Sequence, residues 1–437
     1  MYNYNPISKI IQDNYRNYFN HIYDGLSVPD KKFIHCAMFG LLKGGKCLLS
    51  SIARNNESNA SIKKTIDKLS MHFDSFKNFN TLEANYIKLL KETLPIDENT
   101  IFAVDGSDLA KPKSKKAELL DDIVDGSNDH KVVKGYWISE IVAVNNNGNP
   151  ISVSSSLYST KEEGFLSSNA ILYKQIDDNI NNFKGKGIYV FDRGYDQNNL
   201  IDYLINKDQK FIIRVKDNRK YIVNNKIYSF NELRKKYKGK VTLKRVTNNN
   251  KEYLNKISYI KVKLLDKMFK GKEFTLLISY GINNEPFGII TNIKINNSHD
   301  VRKVIASYLK RWRIEEYFKF KKQEFEFEDI RLRSYNGIKL MNQLLTYVIG
   351  YLNTYYIDKT KEYTRKTAEN ISKSIKKKVT FKYYRLIWGI RKILDLSIIE
   401  EFKYISENVY NCEYYLKNKI KEINLFNYNK VRNKKIA

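Results

Sequence analysis

The stretch GIYVFDRGYDQNNLIDYLINKDQKFIIRVK (187–216) decides the fold. It holds two short apolar runs, GIYVFDRG (187–194) and KFIIRVK (210–216), on either side of a helical spacing over 197–207. A connection of that length with a helix inside it is what a parallel pair of strands requires, whereas an antiparallel pair can close through a two-residue turn. Upstream, residues 165–183 have helical spacing, and before them lie three further strand patterns: TIFAVDGSD (100–108), GYWISEIVAV (135–144) and PISVSSSLYS (150–159). The last two are joined through Asn145-Asn146-Asn147-Gly148-Asn149, a hairpin-type connection. The order is therefore three strands, helix, strand, helix, strand, a meander followed by parallel crossovers.

That order matches an α/β ribonuclease H-like catalytic core, in which a final helix packs back on the sheet. Here that helix is postponed. Residues 220–297 read as short strands with basic turns (YIVNNKIYSF, VTLKRVT, ISYIKVKLL, EFTLLISYG, FGIITNI), a β-rich insertion. Beyond it, 299–323 is strongly helical, LMNQLLTYVIGYLNTYY (340–356) reads as a buried helix, and 363–437 as a basic helical tail. The N-terminal part lacks strand patterns and carries helical apolar spacing, as in Ile62, Ile66 and Leu69 or Leu82, Tyr86, Leu89 and Leu90. The expected divisions are a helical N-terminal region (1–95), the core (96–219), the insertion (220–297), the final core helices (298–356) and a helical C-terminal region (357–437). A chain of 437 residues exceeds the roughly 250–300 at which a single core stops growing, in keeping with several units.

The chain carries 77 Lys+Arg against 48 Asp+Glu, a formal net charge of +29. AT-rich coding can supply Lys, Asn, Ile and Tyr without any polyanionic partner, so position matters more than the total. Net charge is +3, −3, +13 and +16 over residues 1–100, 101–200, 201–300 and 301–437. Five of the 16 arginines, Arg302, Arg311, Arg313, Arg331 and Arg333, fall within 32 residues. The planar guanidinium fork suits phosphate, and a basic second half points to a polyanion-binding surface. Cys36, Cys47 and Cys412 form no CxxC pair and the five histidines are scattered, so a structural zinc site is not expected. The start, MYNYNPISKIIQDNYRNYF, has no apolar signal core, and no apolar run reaches about 18 residues. A cytoplasmic protein with no membrane partner is expected.

Asp105 ends the first apolar strand and Asp192 the fourth. In sheets of this order those strands are neighbours, so the two carboxylates would lie side by side; that adjacency belongs to the fold and not to the spacing. Close carboxylates repel and raise each other's pKa unless a cation joins them, and Mg or Mn takes such oxygen ligands. Either Asp taken singly could equally close a strand-turn. In the helix at 299–323, Tyr308, Arg311, Glu315 and Lys322 fall at about 0°, 300°, 340° and 320° at roughly 100° per residue. They form one stripe, flanked by Val301, Ile305 and Trp312. A carboxylate held there between Arg and Lys is either an ion-pair ladder or a site element. Glu316 points about 100° away, towards solvent.

The run Tyr308-Leu-Lys-Arg311-Trp-Arg-Ile-Glu315-Glu-Tyr-Phe-Lys-Phe-Lys-Lys322 resembles the signature Tyr, two residues, Arg, three residues, Glu, six residues, Lys of the insertion-sequence-four family of bacterial transposases, which are cut-and-paste DDE enzymes. VDGSDLAKPKSKKAE (104–118) and VFDRGYD (190–196) are similar to that family's first-Asp and second-Asp regions, so the resemblance covers about residues 100–335. It implies that Asp105, Asp192 and Glu315 form a metal-binding catalytic triad holding two Mg ions, for which Mn can substitute, roughly 3.5–4 Å apart. Asp105 would bridge both ions, with Asp192 and Glu315 each holding one. It further implies that the element end is nicked to free a 3′ hydroxyl, closed into a hairpin, reopened by water and joined to target DNA. Tyr308, Arg311 and Lys322 would hold the terminal phosphates, Arg bidentately and Lys as a point charge. Arg193, beside Asp192, either reaches the same phosphates or is structural. The implied partners are DNA, as the terminal inverted repeats and the target, and a second copy of the chain in a homodimer. Residues 1–95 would read the ends and the C-terminal helices would pair the subunits.

Other conspicuous residues have ordinary readings. Trp312 is expected to pack in the core, Asp108 to sit in a turn past the strand end, Asp121, Asp122 and Asp125 to lie in a loop, and Lys376-Lys377-Lys378 to be a solvated face or a phosphate contact. Two other functions stay open: a catalytically silent DNA-binding derivative, which a broken triad would favour, and a structure-selective ribonuclease H-like nuclease, which spacing does not exclude.

Overall fold

The computed structural model describes residues 5–56, 60–126, 131–144, 148–246, 252–282, 285–372 and 381–397. Five helices come first, α1 (Asn5–Ile22), α2 (Val28–Gly44), α3 (Leu49–Arg54), α4 (Ile62–Ser75) and α5 (Phe79–Thr93). Local chemistry sets their ends. Ser27 accepts the Asp30 amide at the start of α2, and Gly45 takes a left-handed φ of 66° at its end. The meander and crossovers follow as β1 (Ile101–Ala110), β2 (Asp121–Asp125), β3 (Lys131–Val144), β4 (Pro150–Tyr158), α6 (Ser168–Phe183), β5 (Ile188–Phe191), α7 (Asn198–Asn206) and β6 (Lys210–Arg214). Next come β7 (Lys220–Val223), β8 (Lys226–Ser229), α8 (Phe230–Lys236), β9 (Val241–Val246), β10 (Glu252–Leu264), β11 (Phe274–Tyr280) and β12 (Phe287–Thr291). The described chain closes with α9 (Ser298–Lys310), α10 (Trp312–Glu324), α11 (Tyr335–Ile357), α12 (Glu362–Ile371) and α13 (Tyr383–Leu396).

The strands form one mixed sheet in the order β2-β3-β1-β5-β6-β12-β11-β10-β7-β8, with β4 on β3 and β9 on β10. β1, β5 and β6 are parallel, as the 187–216 pattern predicts. All four residues of β5 are buried, the mark of a strand covered on both faces. Gly187 precedes it at φ 99°, where a Cβ would lie 2.5 Å from the Phe102 ring, so only glycine lets β5 begin this close to β1. β12 pairs antiparallel with β6, and the strands between Lys220 and Thr291 thereby extend the same sheet. The N-terminal helices dock on α11 and β4 through tyrosine hydroxyls: Tyr18 donates to the Tyr347 carbonyl, Tyr351 to that of Ile11 and Tyr86 to that of Ser152. No helix among the described residues is long and apolar enough to cross a membrane.

Three expectations need correction. Asp121, Asp122 and Asp125 form strand β2 and not a loop, with Asp121, Ile123 and Asp125 turned inward. Against the effect of burial, the Thr160 and Asp122 amides hold the Asp121 carboxyl below its usual range. Acidic residues at the inward positions hide the alternation on which strand recognition depends. Second, the helix at 299–323 breaks at Arg311. There Arg311 N bonds Tyr308 O and Ile314 N bonds Arg311 O, a tightened i→i−3 turn that shifts the phase of everything after it. Trp312 is consequently 61% exposed and not packed in the core. Third, Asp108 lies within β1 and is buried, not in a turn. The 145–147 connection, Lys376-Lys377-Lys378 and the segment 398–437 that carries most of the expected pairing helices lie outside the described residues.

Candidate active site

Register places the first two carboxylates. β1 and β5 pair through Val104 and Phe191, and β5 and β6 through Phe191 and Ile213. The residues that follow are Asp105, Asp192 and Arg214, so two carboxylates and a guanidinium fall in a row where β5 and β6 end; Asp105 does not end its strand as expected, since β1 runs on to Ala110 against β3. Neighbouring strands are spaced by about 4.8 Å, which leaves the carboxylates no room to ignore each other. Arg214 Nη1 stands 3.9 Å from Asp192 Oδ1 with its guanidinium over the Phe287 ring.

The helix break delivers the third. Arg311, only 7% exposed, puts Nη1 at 3.3 Å from Asp105 Oδ2 and Nη2 at 2.6 Å from Glu315 Oε1. Its Nε is buried and finds no acceptor in the protein. Tyr308 donates its hydroxyl to Asp192 Oδ1 at 3.4 Å, and its ring lies under the Arg311 guanidinium. Burial pushes the Asp105 carboxyl up to about 6; Arg311 and the Gly106 amide oppose the rise, while Asp192 and Glu315 add to it. Burial works against the Arg311 charge, yet Tyr308, Asp192 and Glu315 hold its pKa above the usual arginine value. Burial also raises Tyr195, one turn beyond Asp192, with Asp105 and Asp192 contributing.

As they stand, the carboxylates are gathered around a guanidinium and not around a shared point. Among the described residues no group of three or more His, Cys, Asp or Glu is disposed to hold a metal ion. The donor chemistry nevertheless fits a hard divalent cation: the set is all oxygen, it converges on one positive charge, and its side chains are 23%, 38% and 36% exposed at Asp105, Asp192 and Glu315, hence open to an incoming ion.

The remaining expected residues lie elsewhere. Lys322 keeps its place on the helix face two turns after Glu315 but pairs with Asp108 and Glu328, each at 2.9 Å. Arg193 is half-exposed and reaches Asp217 at 3.4 Å. Glu316 pairs with Arg313. Sequence reasoning missed Arg214, although extending the strand-end logic from KFIIRVK would have found it, and missed Tyr195, for which spacing offers no signal.

The mixed sheet with its covering helices makes this an α/β protein in which acidic side chains of the sheet meet a basic helix junction at Arg311. Residues 97–352, more than half of the chain, match the family of transposase DDE domains, and the chain belongs to that family. It is thus a DDE transposase, an enzyme acting on DNA. No curated protein matches the chain. Among solved structures it is similar to the piggyBac transposase in a synaptic complex with hairpin DNA (11% identity, TM-score 0.42, covering 86% of this chain and 75% of that one). It is also similar to the NurA nuclease from Sulfolobus solfataricus (12% identity, TM-score 0.27, covering 68% and 99%).

Proposed function

We propose that this transposase excises and inserts its own element by cut-and-paste chemistry of the insertion-sequence-four type, on a ribonuclease H-like core, with Asp105, Asp192 and Glu315 as the catalytic carboxylates. The observation that carries the reading is the adjacency of Asp105, midway along β1, and Asp192, just past the end of β5, with Arg311 tying Glu315 to Asp105. These three side chains would hold two Mg or Mn ions, which supply charge stabilisation to the attacking and leaving oxygens of an in-line displacement at phosphorus.

The chain's own groups do the rest. Arg311 pairs with two carboxylates in the resting site, offsetting one of their two charges, and its planar fork can exchange them for the non-bridging oxygens of a phosphate. Tyr308 orients Asp192 and presents a hydroxyl donor beside it. Arg214 adds positive charge at the end of the row. Lys322 contacts phosphate only by leaving Asp108 and Glu328, and Arg193 only by leaving Asp217, so both serve the outer part of the DNA track. One site used repeatedly then accounts for nicking, hairpin formation, hairpin opening and joining to target DNA. Residues 1–95 read the inverted repeats, and two copies of the chain hold two ends.

The test is cleavage by the purified full-length protein, with Mg or Mn, of a duplex bearing the inverted repeats that flank its gene. Nicking at the repeat ends is expected, and Glu315→Gln should abolish it while DNA binding persists. Undiminished nicking by that variant would overturn the site assignment.

A further inference from the structure

One strand away from the row of carboxylates lies a second charged cluster that the reaction does not use. Glu140 on β3 is the register partner of Asp105 on β1. It is fully buried, and so is Lys321 of α10, whose Nζ lies 3.2 Å from Glu140 Oε2. Every polar group of the pair is satisfied. The ammonium also donates to Asn342 Oδ1 at 2.9 Å and Thr346 Oγ1 at 3.3 Å, and the carboxylate accepts the Ser152 and Ser155 hydroxyls. Asn342 Nδ2 closes the ring on Ser155 Oγ at 3.0 Å. Tyr317 and Phe327 place their rings beside the ammonium. Four elements, β3, β4, α10 and α11, meet in this cage.

A buried pair of this kind is a poor source of net stability, since well-packed apolar residues of similar volume do as well or better. Its distinctive property is direction. The apolar side chains of α10 (Ile314, Tyr317, Phe318, Phe320) tolerate small slides and rotations, whereas three hydrogen bonds from one ammonium admit one placement of the helix. α10 needs such an anchor, because it begins at a broken turn and carries Glu315 one turn beyond the break. Lys321 lies six residues after Glu315, about 9 Å along the helix at 1.5 Å per residue. Its partner sits opposite Asp105. We infer that Glu140 and Lys321 are positioning residues: their buried pair sets the register of α10 on the sheet and thereby brings Glu315 to Asp105.

The inference rests on the proposed role of Glu315. It is tested by Glu140→Gln combined with Lys321→Met in the full-length protein, which removes both charges and leaves neither unpaired. The variant should unfold at close to the wild-type temperature and bind the repeat-bearing duplex equally well. Its cleavage rate at saturating DNA should fall about 10–100-fold, the usual scale for outer-shell groups. Mn binding measured by calorimetry without DNA should weaken in parallel, a change that general destabilisation would not cause in a fully folded protein. A folded double variant with wild-type cleavage and wild-type Mn affinity overturns the inference. Should the double variant fail to fold, Asn342→Leu decides, since it trims the cage without touching a charge: about tenfold slower cleavage supports the inference, and unchanged cleavage overturns it. Wild type and Glu315→Gln run alongside separate the two claims. If wild type does not cleave, the reading of the site falls and the inference with it; if wild type cleaves, Glu315→Gln does not, and the double variant matches wild type, only the inference falls.

Discussion

Two carboxylate-cation clusters stand on adjacent strands of this sheet, and they differ in closure. Around Arg311 and Arg214, three carboxylates meet two guanidinium groups: Asp105 and Glu315 pair with Arg311 and Asp192 with Arg214, the carboxylates remain partly exposed, and the Arg311 Nε has no acceptor. Around Lys321, a single carboxylate meets a single ammonium, and both charged groups find their hydrogen-bond partners away from water. The first cluster has charge left over for an incoming cation and phosphate. The second has none. A group of charges left incomplete in the resting protein is one that substrate completes, while a completed group holds parts in place.

Substitutions can break this comparison at several points. The largest effect is expected in the open cluster, where Asp192→Asn or Glu315→Gln should lower end cleavage on the order of 10³-fold or more with the fold retained, as the loss of a preorganised charge does. Removing half of the closed cluster should act on stability instead. Lys321→Met alone leaves Glu140 buried and unpaired and should cost about 3–5 kcal/mol in urea unfolding. Comparable losses from Asp192→Asn would erase the distinction between the clusters.

A third expectation concerns pH. The Asp105 carboxyl rises from an ordinary 3.8 to about 6 on folding. A raised carboxyl pKa favours the folded state while the group is protonated, and that contribution disappears as pH rises through the folded value. Relative to Asp105→Asn, the wild-type protein should therefore lose stability between about pH 4 and 6, on the order of 1–3 kcal/mol. Cation binding should show the opposite trend and strengthen over the same window, because it needs the ionised form. Thermal unfolding of both proteins across that range checks the sign. The smallest effect belongs to the surface: Arg193→Ala removes a half-exposed pair with Asp217 and should change stability by less than about 0.5 kcal/mol.

How much of this was legible beforehand varies residue by residue. Asp105 and Asp192 could be read because each closes a buried apolar run, and the crossover at 187–216 makes the two runs neighbours. Glu315 could be read from its spacing to Tyr308 and Arg311. Trp312 was misread because helical phase was carried across a turn that tightens at Arg311, and one residue of altered rotation moves a side chain from core to solvent. Asp108 was misread because β1 continues past the acidic residues to Ala110. Lys322 kept its place on the helix, but its partner Asp108 lies 214 residues earlier, and no local pattern encodes which distant carboxylate a lysine meets.

The sequence by itself determined the mixed α/β class, the two carboxylates that close apolar runs and the basic character of the second half, since these follow from apolar periodicity, chain connectivity and charge, all of them local quantities. Only the tertiary structure decided that Arg311 ties Asp105 to Glu315, that Arg214 completes the row, and that Glu140 and Lys321 close on each other beneath it. Those pairings join residues far apart in the chain, and they exist only where the sheet and the two helices bring their side chains within a few ångströms.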